Sequence, residues 1–280
     1  MATLSLAHPA PTATRFWVIA WSLLALWLVA WLAGPSLVSA IGVSIHPQGH
    51  AHLHAHGHPF VDARSWWGVP NTLDVLSNLP LVFVGGMGLA MLSGRSLPAL
   101  TASALRMFLV GLVLSGLGSA IYHWAPDPAT LVIDRLGMAV AFAGALGLAM
   151  AERVGQTPAR LTLPVSLLLA IVSAFLPWTH GNVLPWAVVQ FGGIALIVWA
   201  AMRPPVDGAL GVQLWMLIAA YALAKLLELG DAAVHLATGE WVSGHSLKHV
   251  AAACAALPIL WGLRQHGLGD NAPVRPMVKG

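Results

Sequence analysis

Eight stretches of mostly apolar residues, separated by breaks rich in proline and glycine, dominate this sequence. A helix needs about 20 such residues to cross the hydrocarbon core of a membrane. Charged residues make up about 25% of a typical soluble domain, whereas they make up 8% of this chain. We therefore predict an all-α fold, a polytopic transmembrane helical bundle with a seven-helix core and one extra N-terminal helix. The predicted helices occupy 16–34, 71–92, 104–123, 129–150, 161–178, 184–202, 209–231 and 243–263.

These helices divide the chain into four parts. Residues 1–34 form an N-terminal tail and the extra helix, 35–70 an exterior loop, 71–263 the seven-helix domain, and 264–280 a disordered cytoplasmic tail. The first helix has an alternative interpretation. A basic residue, an apolar stretch and the small-residue run GPSLVSA also match a cleaved secretory signal peptide. Either interpretation leaves the seven-helix core in the same orientation.

The basic residues are distributed unevenly between the two ends of the predicted helices. Cytoplasmic loops of membrane proteins are enriched in lysine and arginine, and a cytoplasmic N-terminus leaves only Arg64 outside. We expect both termini in the cytoplasm of a plasma or inner-membrane protein. Because the basic residues are scattered singly, no nucleic-acid partner is expected. The residues that then lie inside are Arg15, Arg95, Arg106, Arg153, Arg160, Arg203, Arg264, Arg275 and Lys279.

Polar residues concentrate at the predicted outer ends of five helices. Ionisable side chains within a membrane are costly and usually mark a functional site. Their convergence at one depth therefore predicts a site in the outer leaflet. The residues are Asn71, Asp74, Asn78, Ser119, His123, Asp134, Arg135, Lys225, Glu228, Asp231, His245, Lys248 and His249.

The spacing of the histidines indicates a metal site. His245 and His249 are four residues apart and so share one helix face, which allows both to bind one ion. A third histidine would complete the ligand set of a catalytic zinc, with water in the fourth position. His123 is the expected third ligand, and a short connection returns Asp134 beside it. For any single histidine, an interhelical hydrogen bond is the alternative.

We expect other polar residues to surround these ligands. Lys225 and Glu228 are three residues apart and should neutralise each other, whereas Lys248 should pair with Asp231 or Asp74. The full surrounding set is Asn71, Asp74, Asn78, Glu228, Asp231 and Lys248.

The segment 46–58, HPQGHAHLHAHGH, carries further histidines. Alternating residues of an extended strand face one side, and alternating imidazoles bind zinc, copper or nickel loosely. Loose capture of metal for the intramembrane site and a merely solvated loop are the two interpretations. The alternating residues are His50, His52, His54, His56 and His58.

Three ordered blocks, NTLDVLSNLP, GLGSAIYH followed by LVID, and GHSLKHVAAA, resemble the alkaline ceramidase family. That family belongs to a superfamily of seven-helix membrane hydrolases that also includes the progestin and adiponectin receptors. The resemblance covers about 62–263 and implies zinc on His123, His245 and His249, with Ser119 and Asp134 beside it. The stretch FVDARSWWGVPN has a single acid, so the calcium site of eukaryotic ceramidases is not expected.

These observations lead to a functional hypothesis. The chain would be a zinc-dependent hydrolase that cleaves the amide of an N-acylated membrane lipid, such as a ceramide, into fatty acid and amine. Asp134 would act as general base and then general acid, and Ser119 would stabilise the oxyanion. A divalent-metal transporter and a receptor-like protein with a structural zinc are the alternatives.

Overall fold

The computed structural model describes residues 11–40 and 60–269, and in these ranges the chain is helical without β-strands. The all-α prediction is confirmed. The helices are α1 (Pro11–Ala40), α2 (Thr72–Leu76), α3 (Leu79–Leu92), α4 (Ala99–Trp124), α5 (Pro128–Arg153), α6 (Gln156–His180), α7 (Leu184–Ala187), α8 (Gly193–Ala201), α9 (Leu214–Leu229), α10 (Asp231–Ala237), α11 (Gly244–Ala253) and α12 (Leu257–Gly269). A π-helical turn, Val188–Gly192, joins α7 to α8, and a 3-10 turn, Cys254–Ala256, joins α11 to α12.

Seven helical stretches of the described part are long and apolar enough to cross a membrane. The protein is therefore a multi-pass membrane protein. The candidate spans are Thr12–Ala40, Thr72–Leu92, Ala99–Trp124, Pro128–Arg153, Gln156–His180, Leu184–Ala201 and Gly244–His266.

The seventh predicted helix, at 209–231, is shorter than expected. Helix α9 begins only at Leu214 and has 16 residues. The backbone N–H groups of 210–212 donate to the buried Glu152 carboxylate at 2.7, 2.9 and 2.9 Å. Because this carboxylate supplies their acceptors, these residues can remain outside the helix. After Gly230 the chain becomes helical again as α10.

The first and last helices extend beyond their predicted ends. Helix α1 continues through Pro35 to Ala40, although 16–34 was expected. Helix α12 continues to Gly269, so the first residues of the expected tail are helical. The histidines at 50–58 and the tail from 270 lie outside the described residues.

Helices α4 and α5 pack closely through facing glycines. A Cβ atom on any of these glycines would collide with the backbone of the opposite helix, and small residues allow such close approach between membrane helices. Asp127 then starts α5, since its carboxylate accepts from the N–H groups of Ala129 and Thr130. The short turn and the close packing bring the start of α5 against the end of α4. The facing glycines are Gly111, Gly118, Gly137 and Gly144.

Candidate metal centre

Three buried histidines from two helices form a group that could hold a metal ion. His123 ends α4, while His245 and His249 lie on α11, and one ligand atom from each lies within 4.8 Å of the others. The Nε2 atoms of His123 and His245 are 3.2 Å apart. Two nitrogens bound to one tetrahedral zinc at ~2.0–2.1 Å would be about 3.3 Å apart. This donor set therefore fits a tetrahedral ion, and the three ligands expected from the sequence come together.

The start of α11 is fixed by two polar side chains. Ser243 is the N-cap, and its hydroxyl accepts from the N–H of Ser246 at 2.9 Å. The Asp231 carboxylate accepts from the N–H of His245 at 2.8 Å. A side chain at Gly244 would collide with the backbone of α9. These contacts hold the first turn of α11, which carries His245, and they place Asp231 against that turn.

A serine that the sequence did not indicate orients His249. The Ser77 hydroxyl lies 2.8 Å from Nδ1 of His249. A hydrogen bond at Nδ1 leaves Nε2 of the same ring for a metal and fixes the ring orientation. Ser119, one helical turn before His123, has its hydroxyl 3.5 Å from Nε2 of His249. The hydroxyl expected to act on substrate thus lies at the metal-facing side of the ligand group.

Asp74 links α2 to the start of α11 through hydrogen bonds. The carboxylate is fully buried, and its Oδ1 atom accepts from the hydroxyls of Ser246 at 2.6 Å and Ser243 at 3.3 Å. Asp74 therefore holds the N-terminal turn of the helix that carries two ligands. Ser243 and Ser246, which the sequence did not indicate, belong to the same network.

The two asparagines also act on the backbone near the ligands. The amide of Asn71 donates to the carbonyl oxygen of His123 at 2.8 Å, from a left-handed backbone with φ of 44°. The amide of Asn78 donates to the carbonyl oxygen of Asp74 at 2.8 Å. Asn71 therefore holds the end of α4, which carries His123, and Asn78 holds the α2 turn that carries Asp74.

The lysines beside the site are arranged differently from the prediction. Glu228 accepts from Lys225 at 2.6 Å, as expected, and also from Lys248 at 2.7 Å. The predicted pairing of Lys248 with Asp231 or Asp74 is wrong. Glu228, on the last turn of α9, lies opposite Lys248 of α11. Asp231 instead accepts from the backbone N–H of His245, and Asp74 accepts from the hydroxyl of Ser246.

A largely apolar cavity of about 450 Å³ opens beside the histidines. On α4 its lining runs from Phe108 to His123, which is about 22 Å along the helix. This exceeds one leaflet, about 15 Å, or half the hydrocarbon core. Ser119 and Asp134 both line the histidine end of the cavity, and Asp134 lies close to Ser119. The apolar lining includes Leu81, Phe108, Leu112, Met138, Phe142, Ile194, Ile197 and Leu217.

Phe60 lies over the ligand group and was not predicted. Its ring centre is 4.8 Å from that of His123, 5.7 Å from that of His245 and 5.9 Å from that of Tyr122. These contacts are edge-to-face, an arrangement that aromatic rings favour. Phe60 therefore excludes water from one side of the site.

An ion pair holds the segment that follows Phe60. Arg64 binds Asp62 at 2.7 Å through two nitrogens and donates to the carbonyl oxygen of Trp241 at 2.9 Å. Burial raises the pKa of Asp62, but the hydrogen bonds and charge of Arg64 outweigh burial and lower that pKa below its ordinary value. The single acid of this stretch thus pairs with an arginine.

Comparison of the chain with protein-family models, with curated proteins and with solved structures finds no match.

Proposed function

We propose that this protein is a zinc-dependent intramembrane hydrolase that cleaves the amide of an N-acylated lipid, such as a ceramide, into fatty acid and amine. One observation carries the proposal. The buried ligand group of His123, His245 and His249 lies at the end of a long apolar cavity whose wall also contains Asp134 and Ser119. The sequence blocks that resemble alkaline ceramidases include the same five residues.

The residues of the cavity wall can divide the chemistry between them. A zinc ion on the three histidines would polarise the amide carbonyl and activate water. The Asp134 carboxylate would accept a proton from the attacking water and deliver it to the leaving nitrogen. The Ser119 hydroxyl would donate to the oxygen that becomes negative. The acyl chain would occupy the apolar length of the cavity.

Two features favour hydrolysis over the alternatives. Within the described residues, the ligand group contains no fourth histidine, cysteine, aspartate or glutamate, which leaves a position for water as in catalytic zinc sites. A purely structural zinc in a receptor would normally be saturated by protein ligands. Apolar residues such as Phe108 and Ile197 form most of the cavity lining, whereas a transporter needs polar groups along its whole path.

The basic-residue distribution supports cytoplasmic termini in a plasma or inner membrane. The helix ends that carry the site would then lie in the outer leaflet. Substrate would enter from that leaflet, and water from the exterior.

The experiment is Asp134→Asn in the purified full-length protein, with Asp207→Asn as control because Asp207 is exposed. Asp134→Asn keeps the side-chain shape but removes the proton acceptor. We expect retained zinc and about 10²–10⁴-fold slower release of fatty acid from N-acyl lipids. Zinc is measured by elemental analysis and fatty acid by mass spectrometry.

The control variant should match wild type in both measurements. Undiminished hydrolysis in Asp134→Asn would refute the mechanism. Metal flux into liposomes by wild type, without cleavage across a broad panel of N-acyl lipids, would instead favour the transporter.

A further inference from the structure

Arg135 is a buried cation in the cavity wall that the proposed mechanism does not use. Its side chain is 3% exposed, and its Nη2 atom has no hydrogen-bond partner among residues 11–40 and 60–269. The guanidinium lies over the ring of Trp186 at 5.6 Å. Arg135 directly follows Asp134 on α5 and lines the same cavity.

Other cations near the bundle interior bind acceptors of the protein. Lys225 and Lys248 both bind Glu228. Arg153 donates to the carbonyl oxygens of Arg203 and Val212, although its buried Nε atom has no partner among the described residues. A buried charge is strongly disfavoured unless it is paired. Arg153 is not part of the cavity lining, whereas Arg135 borders the cavity, so the unused Arg135 donor indicates a group that arrives with a ligand.

Two tyrosines add further donors to the same wall. The hydroxyls of Tyr122 and Tyr221 are buried and have no hydrogen-bond partner within the described ranges, and both residues line the cavity. Buried polar groups are normally hydrogen-bonded. Tyr122 precedes His123 and lies near Arg135, so its hydroxyl and the guanidinium lie in the histidine end of the cavity.

The charges of the cavity wall also favour an anion. Three basic side chains line it against two acids, an excess of one positive charge before any metal binds. An excess of one sign of charge in a low-dielectric cavity attracts ligands of the opposite sign. The basic residues are Arg135, Lys225 and Lys248, and the acidic residues are Asp134 and Glu228.

We propose that Arg135 binds an oxyanion carried by the substrate next to its scissile amide, which makes N-acyl amino acids the preferred substrate class. This inference rests on the proposed hydrolase. Successive side chains of a helix point about 100° apart, yet Arg135 and Asp134 both line the same cavity. The anion would therefore lie near the amide, as a carboxylate does when one carbon separates it from the amide nitrogen.

The reaction of such a substrate is a simple hydrolysis. The bond between the acyl carbon and nitrogen breaks, and the water oxygen bonds to the acyl carbon. One water proton passes through Asp134 to the nitrogen, so the products are a fatty acid and an amino acid. A guanidinium suits the carboxylate because it can donate two parallel hydrogen bonds.

The test measures binding rather than turnover. Zinc-loaded, full-length Asp134→Asn protein in nanodiscs is equilibrated with radiolabelled N-palmitoylglycine, N-palmitoylethanolamine or palmitate. The first two ligands share the acyl chain and amide and differ in the carboxylate. We expect N-palmitoylglycine to bind about 10–100-fold more tightly than N-palmitoylethanolamine, the usual range for a charge-assisted hydrogen bond.

Arg135→Gln added to this protein should abolish the preference, and Arg135→Lys should retain part of it. Arg106→Gln is the matched control, since Arg106 is exposed on α4, and it should keep the full preference. Zinc content shows that each variant retains the ligand group.

Equal binding of the two amides, or a preference unchanged by Arg135→Gln, would overturn the inference. If Arg135→Gln weakened the binding of palmitate alone, the inference would also be overturned, because Arg135 would then bind the carboxylate of the fatty-acid product and not that of the substrate. Failure of the proposed hydrolase shows separately, as an absence of fatty-acid release by the wild-type protein.

Discussion

Gly118 of α4 packs against the α5 backbone at Ile133 and Asp134. This contact sets the position of Asp134 relative to the histidines. A Cβ atom at Gly118 would lie 2.7 Å from the carbonyl oxygen of Ile133 and 3.3 Å from Cα of Asp134. Ordinary van der Waals contact begins at 3.4 Å, so Gly118→Ala requires the helices to separate locally by about 0.7 Å. The obstructing atoms belong to the backbone and cannot rotate away.

The expected consequence is both structural and catalytic. Overpacking of this kind destabilises a protein by about 1–3 kcal/mol, and a misplacement near 1 Å can slow catalysis by about 10²-fold. Gly86→Ala is the control, because Gly86 is helical and its Cβ would meet no atom within 4 Å. That change should raise stability by about 0.5–1 kcal/mol through the greater helix preference of alanine.

Both variants are measured for thermal unfolding in detergent, zinc content and fatty-acid release. Gly118→Ala should unfold at a lower temperature and hydrolyse more slowly while keeping zinc, whereas Gly86→Ala should not lose stability or activity. Equal melting temperatures and equal rates for the two variants would refute the close-packing argument. The unfolding comparison is informative even if the substrate is different from the one proposed.

Two further predictions concern the metal and the orientation. Ser77→Ala removes the hydrogen bond to Nδ1 of His249 and should weaken zinc binding about 10–100-fold, as measured by competition with a chelator; unchanged affinity would show that the serine does not support the ligand. The orientation is tested in a Cys254→Ser background, which removes the native thiol. Ser65→Cys should then react with an impermeant thiol reagent in intact cells and Ser96→Cys should not, because these two exposed serines lie on opposite sides of the span Thr72–Leu92. The reverse pattern would place the site in the inner leaflet.

Hydropathy was sufficient to predict the fold class because membrane helices are defined by long apolar stretches. Helix ends were less predictable. The start of α9 depends on Glu152, which is distant in sequence and accepts from three backbone N–H groups. A hydropathy window at 209–231 does not contain that carboxylate. Helix α1 continues through Pro35, where a proline and a neighbouring glycine suggested an end.

The ligand group was predictable because its spacing reflects helix geometry. Four-residue separation placed His245 and His249 on one face, and the short turn after α4 explained the return of Asp134. Ser77 and Phe60 could not be predicted in this way. A lone serine has many roles in a membrane helix, and Phe60 reaches the histidines from a non-helical segment whose path hydropathy does not define.

The partners of the charged groups required the structure, since several pairings satisfy the same helical spacing. Lys248 could face any of three acids, and only the packing of α9 against α11 selects Glu228. Arg135 illustrates the opposite case. A sequence shows that an arginine is present, whereas a structure shows whether its donors are already used.

The two carboxylates of α5 that lie in the bundle show how surroundings separate a structural group from a reactive one. Glu152 accepts three backbone N–H bonds at one end of the helix, so its oxygens are occupied and its loss would release the 210–212 segment. Asp134, near the other end, lines the cavity beside Ser119. A proton acceptor must be reachable by its substrate, and the cavity provides that access to Asp134. The same helix therefore uses one carboxylate to fix the bundle and presents the other to a ligand.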